Sequence, residues 1–100
     1  MNYNEKVNIL KGYIRFSNEI DTLEEMKVSF DTCGRIELLK SEQKKIISSI
    51  YDVKDDNERN VLLRKYVLGH ELIDIAEKIG VSERQVSRIH SKAINDIIFY

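Results

Sequence analysis

Apolar residues recur at helical spacing along nearly the whole chain. Ile9, Tyr13, Phe16, Ile20, Leu23 and Phe30 follow alternating steps of four and three, interrupted only at Lys27, with Met26 beside it. This heptad-like stripe predicts helix over residues 3–30, as one rod or as two broken near Ser17-Asn18. Gly12 weakens such a helix by about 1 kcal/mol relative to Ala. The stripe fits a seam between two copies and fits equally a face packed on the rest of the same chain. The segment D-T-C-G-R, Asp31 to Arg35, has turn residues and no apolar period, so it is expected to end the first unit. A second helix is expected from Ile36 or Ser41 to Tyr51. Its inner positions are Ile36, Leu39, Ile46, Ile47 and Ile50, and Glu37, Lys40, Glu42, Lys44 and Lys45 form its solvated face. Asp55 and Asp56 put acids at the positive end of a third helix, Asn57 to Leu68, and Gly69 ends it. Val61, Leu62, Tyr66 and Ile50 are expected to pack against Ile75 and Ile79, with Tyr66 in the core rather than stacked on a base.

The stretch from Glu71 to Ser91, ELIDIAEKIGVSERQVSRIHS, has the residues that a helix-turn-helix requires at each special position. Ala76 is small where two helices must approach closely. Gly80 stands four residues later, where the turn needs a positive φ. Val81 is expected to plug the turn, with Ile75, Ile79, Val86 and Ile89 completing a small core. Ser82 is a suitable N-cap, and Gln85 three residues on completes the box S-x-x-Q.

That cap fixes the register of the second motif helix, about Ser82 to Ile98. With Val86 at the centre of the buried face, a step of about 100° per residue places Ile89, Ala93 and Ile97 beside it. Arg84, Arg88, Ser91 and Asn95 then fall opposite. Arg84, Arg88 and Lys92 are the cations of this helix, and no acid separates them between Glu83 and Asp96. A helix lying in a major groove uses Arg for phosphates or guanine edges and shorter polar side chains for closer contacts. The expected DNA contacts are Ser82, Arg84, Gln85, Ser87, Arg88, Ser91 and Lys92. A solvated amphipathic helix would show the same charges without the motif. A helix-turn-helix used only for protein contact would show both.

The stretch Ile50 to Ile97, with the run ERNVLLRKYVLGHELIDIAEKIGVSERQVSRIHSKAI inside it, resembles the fourth region of bacterial sigma-70-type factors. The matching points are Val61, Leu62 and Leu63, then Tyr66 and Gly69, then Ile75-Ala76, Val86 and Ala93. With its helical N-terminal half, the chain is also similar to small sigma-like regulators of phages and phage islands, the ArpU and RinA types. The resemblance implies an all-α fold, an N-terminal helical arm (residues 1–35) able to dimerise, and a DNA-binding region (residues 36–100) of support helices plus helix-turn-helix. It further implies a phage or mobile-element regulator that binds double-stranded DNA, with RNA polymerase or another phage regulator as a protein partner.

Composition supports the helical reading. The chain has 100 residues with no Pro and only four Gly, enough for one domain that buries about two-thirds of its unfolded surface. The polar, charged start and the lack of an apolar run near ~18 residues argue against a signal peptide or membrane span, so a cytoplasmic location is expected. The single Cys33 and the scattered His70 and His90 offer no metal ligand set, and no cofactor motif is present. Neither histidine has a nucleophile or carboxylate cluster near it, so no catalytic residue is expected.

Charge complicates the picture. The formal net charge is −1, with 10 Lys and Arg against 12 Asp and Glu in residues 1–60, and 6 against 5 in residues 61–100. Few phosphate contacts per chain predict weak binding by a monomer, so a homodimer or a co-bound protein is expected to supply affinity. The alternative is an interaction protein that keeps the sigma-like fold but modulates another regulator or polymerase. It draws on the low basicity and on the apolar end Ile94, Ile97, Ile98, Phe99 and Tyr100.

Overall fold

The structure, a computed structural model, describes residues 1–26 and 30–99. Lys27, the break in the apolar stripe, and Tyr100 lie outside the described residues, as does the Phe30 side chain. The described chain is all helical: α1 (Tyr3–Glu25), α2 (Phe30–Tyr51), α3 (Asp56–Leu62), α4 (Leu72–Ile79) and α5 (Glu83–Asp96). A wider π-helical turn, Leu63–Val67, continues α3.

α1 is one unbroken helix. The Asn2 side chain accepts the Glu5 N–H at 2.9 Å and its amide donates to the Glu5 carboxylate at 3.2 Å, closing the first turn. α2 returns antiparallel beside it. Arg35 donates to Glu19 at 2.7 and 3.3 Å, and Gln43 Nε2 donates to the Tyr13 carbonyl at 2.9 Å and to Ser17 Oγ at 2.6 Å.

The expected turn at Asp31–Arg35 is instead the opening of α2, and the boundary placed at residue 35 falls inside that helix. A Cβ at Gly34 would meet nothing within 4 Å, so no close approach requires the glycine, and its place in the helix costs about 1 kcal/mol of backbone freedom relative to Ala. The Arg35–Glu19 pair fastens the same turn to α1.

Two apolar clusters organise the molecule. Leu10, Ile46, Ile50, Val53, Leu62, Tyr66, Ala93, Ile94 and Ile97 form the larger, with Ile9, Tyr13, Phe16 and Phe99 against it. Val61, Ile75, Ala76 and Val86 form the smaller, flanked by Leu72, Ile79 and Ile89. Val61 therefore joins Ile75 as expected, whereas Ile50, Leu62 and Tyr66 belong to the larger cluster. Val61 and Leu62, about 100° apart around α3, thus enter different clusters, and the helix is shared between the two. The α1 stripe thus packs on the same chain, centred on the fully buried Leu10. The apolar end is also largely covered: Ile94 and Ile97 are fully buried, Phe99 packs on the core, and Ile98 remains exposed.

No helix among the described residues is long and apolar enough to cross a membrane.

Candidate nucleic-acid interface

The interface is built outward from the turn between α4 and α5. Gly80 has φ +75° and ends α4 in the left-handed conformation, with its N–H and that of Val81 reaching the Ala76 carbonyl at 3.0 and 3.1 Å. Ala76 is 5% exposed, letting α5 approach α4 closely. Val81 does not plug this turn. It is exposed, because backbone hydrogen bonds close the turn and Ile75, Ile79, Val86 and Ile89 fill the space beneath.

Ser82 Oγ accepts the Gln85 N–H at 3.1 Å and starts α5. The N-terminal half of α5 is held by Val86 and Ile89 in the small cluster, and the C-terminal half by Ala93, Ile94 and Ile97 in the large one. Lys6 Nζ donates to the Asn95 carbonyl at 3.0 Å, placing a cation at the negative end of the helix.

His90 lies on the inner face and is buried. Its Nε2 is 2.6 Å from the Tyr66 hydroxyl, and its Nδ1 is 3.5 Å from the Tyr3 hydroxyl. Burial, helped by the nearby Lys65 charge, holds the imidazole below its ordinary pKa. Burial, with Tyr3 adding to it, pushes the Tyr66 phenol up to about 12. α5 is thereby joined to the π-helical turn and to α1 by polar as well as apolar contacts.

The outer face carries all seven residues singled out from sequence, each exposed. Their situations differ. Arg84, Gln85, Ser87, Arg88 and Ser91 project with side chains that bond to no other described residue. Ser82 is engaged as the cap. Lys92 is an ion-pair partner, 2.9 Å from Asp96 Oδ2 and 3.2 Å from Glu58 Oε2. The face therefore offers two unpaired guanidinium groups, one turn apart, and three short polar side chains.

Glu58 went unnoticed in the sequence reading. It precedes Val61 and Leu62 by three and four residues, so helical spacing already puts it on the inner face of α3, and it is 3% exposed. Burial first, and the Asp96 carboxyl next, push its pKa up, while Asp96 is held down by its bonds to Glu58 and Lys92. Tyr3, Lys6 and Leu10 were also missed, since each acts on a helix more than 80 residues away.

Residues 55–97 match the family model described as Sigma-70, region 4. Neither the curated proteins nor the solved structures compared with the chain gave a significant match. The matched segment runs from the Asp55 cap of α3 to the buried Ile97 after α5, and so takes in the support helix, the turn and the outward-facing helix as one unit. In sequence and in the arrangement of its helices, the segment 55–97 is similar to the helix-turn-helix of sigma-70 region 4.

Proposed function

We propose that the protein is a regulator of transcription that reads duplex DNA by laying α5 in the major groove. The observation carrying this is the outward display of Arg84, Gln85, Ser87, Arg88 and Ser91 on a helix whose inner face is fixed at both ends. Guanidinium groups suit guanine edges and phosphates, and the short polar side chains between them suit closer contacts. In this reading the regulator belongs to a phage or mobile element, as the resemblance noted in the sequence implies.

Two unpaired cations give one copy little grip on the backbone. A second copy of the chain or a co-bound polymerase supplies the remaining affinity in this reading.

The reading in which the fold contacts only protein draws on the exposed Leu68 and Ile73 at the approach to α4. One experiment separates the two. Selection from random duplex DNA with the purified protein is expected to enrich a defined sequence, bound with an affinity that falls steeply with salt. Absence of enrichment at low salt overturns the DNA reading.

A further inference from the structure

We propose that Glu58, a buried carboxylate with no place on the DNA-facing surface, sets the strength and salt dependence of DNA binding by holding Lys92 back from the phosphate backbone. This rests on the DNA-reading role proposed above.

Lys92 stands four residues beyond Arg88 and eight beyond Arg84, about 40° and 80° away around α5, on the flank of the same outward face. A four-carbon ammonium at that position ordinarily extends to a phosphate as a mobile point charge. Here its side chain is 68% exposed, yet its Nζ turns toward α3 and lies between Glu58 Oε2 and Asp96 Oδ2. The two carboxylates differ in kind. Asp96 is half exposed and one turn along the same helix, an arrangement that competes weakly with a phosphate. The Glu58 side chain is 4% exposed, and its second oxygen, Oε1, is buried without a hydrogen-bond partner. Withdrawing Lys92 would leave that largely buried carboxylate without its cation, so the pull on Lys92 is greater than an ordinary surface pair exerts. Asp55 accepts the Glu58 N–H at 3.0 Å and caps the start of α3, the helix that carries Glu58. The acids thus subtract one cation from a face that has only three.

The test is a cycle on the salt dependence of duplex binding, in which each phosphate neutralised adds about 0.9 to the log–log slope. The selected duplex, or a mixed-sequence duplex at low salt, serves as probe. Four forms of the full chain are compared: the parent, Lys92→Gln, the release variant Glu58→Gln with Asp96→Asn, and the release variant carrying Lys92→Gln as well. In the parent background, Lys92→Gln is expected to leave the slope unchanged. The release variant is expected to steepen it by about 0.9, so that raising salt fourfold costs about 3.5-fold more affinity than in the parent. Adding Lys92→Gln to the release variant is expected to return the slope to the parent value.

A slope that falls by about one in the single Lys92→Gln variant overturns the proposal, because Lys92 then already neutralises a phosphate. A release variant with the parent slope overturns it equally. Nuclear magnetic resonance of the free protein supplies a readout independent of DNA: the Lys92 ammonium is expected to be ordered in the parent and mobile in the release variant, and a mobile ammonium in the parent removes the tether outright. Failure of the DNA reading looks different, as no form then binds duplex at low salt while the ammonium is still ordered.

Discussion

The Tyr66 hydroxyl oxygen lies 2.6 Å from His90 Nε2 inside the protein, joining the turn that follows α3 to the inner face of α5. Tyr66→Phe would leave that ring nitrogen buried without a partner, which costs about 1–3 kcal/mol. Tyr3→Phe should cost far less, because its 3.5 Å contact is at the limit of a hydrogen bond and Tyr3 is 39% exposed. Urea denaturation of the two variants checks the order, and equal losses would show that the 2.6 Å contact has no special weight.

A pH dependence follows from the same pair. The folded pKa of His90 is below its unfolded value, so the unfolded chain takes up a proton first as the solution is acidified. The associated stability is fully present above the ordinary histidine pKa of about 6.5 and declines as pH falls from there toward the depressed folded value. The His90 contribution should therefore lower denaturation midpoints between neutrality and mildly acidic pH, with the raised Glu58 carboxyl acting in the opposite direction. His90→Phe should flatten that part of the profile. At the alkaline end, Tyr66 should keep its proton above the usual tyrosine pKa and lose its contribution as pH rises through about 12. Subtracting the absorbance titration of Tyr66→Phe from that of the parent isolates this step.

Gly80→Ala tests backbone strain without steric interference. An added Cβ at Gly80 meets nothing within 4 Å, so the whole penalty arises from φ +75° and should be about 1–2 kcal/mol. Ala76→Leu tests the opposite case, a normal backbone with no room, and should cost about 1–3 kcal/mol by overpacking against α5. Thermal melts of both should fall below that of the parent. An unchanged Gly80→Ala melt would mean that the turn relaxes.

Replacing Arg84 or Arg88 by Ala should leave the melting temperature unchanged, since both side chains are exposed and bond to no described residue. Affinity for the selected duplex should drop by about 1–3 kcal/mol for whichever reads a base, with relaxed preference at that base pair. Full binding by the doubly substituted protein would reject α5 as the reading helix.

Leu10→Ala measures how far α1 belongs to the rest of the molecule. Leu10 is fully buried against Ile94 and Ile97 as well as α2, so its truncation should cost about 2–5 kcal/mol. Calorimetry should record one lowered transition. A stable second transition from the helix-turn-helix would mark α1 as dispensable to it.

The motif could be read from sequence because its demands are local and specific to residue type. A positive φ selects Gly80, an open helix start selects Ser82 or Asp55, and close helix approach selects Ala76. What escaped the sequence depends on partners distant along the chain. Gly34 looks like a turn until Arg35 is paired with Glu19 across the hairpin. Leu10 does not stand out from its neighbour Ile9 until both ends of the chain are packed together. Lys92 shares the outward flank of α5 with Arg84 and Arg88; its local partner Asp96 is visible in the sequence, but the buried carboxylate of Glu58, 34 residues earlier, is not. Val81 shows the reverse error, an apolar residue assigned to a core that backbone hydrogen bonds had already closed.

The larger core also fixes the order of events during synthesis. Leu10 and Ile94, packed in one cluster, are 84 residues apart, so at ~5–20 residues/s the ribosome delivers the second roughly 4–17 s after the first. During that interval only α2 and, once they have emerged, Leu62, Tyr66 and the turn after α3 can cover the apolar stripe of α1, and the helix-turn-helix has no finished foundation. The larger core can therefore close only once α5 has emerged from the ribosome, and α1 has to wait for it with part of its apolar face uncovered.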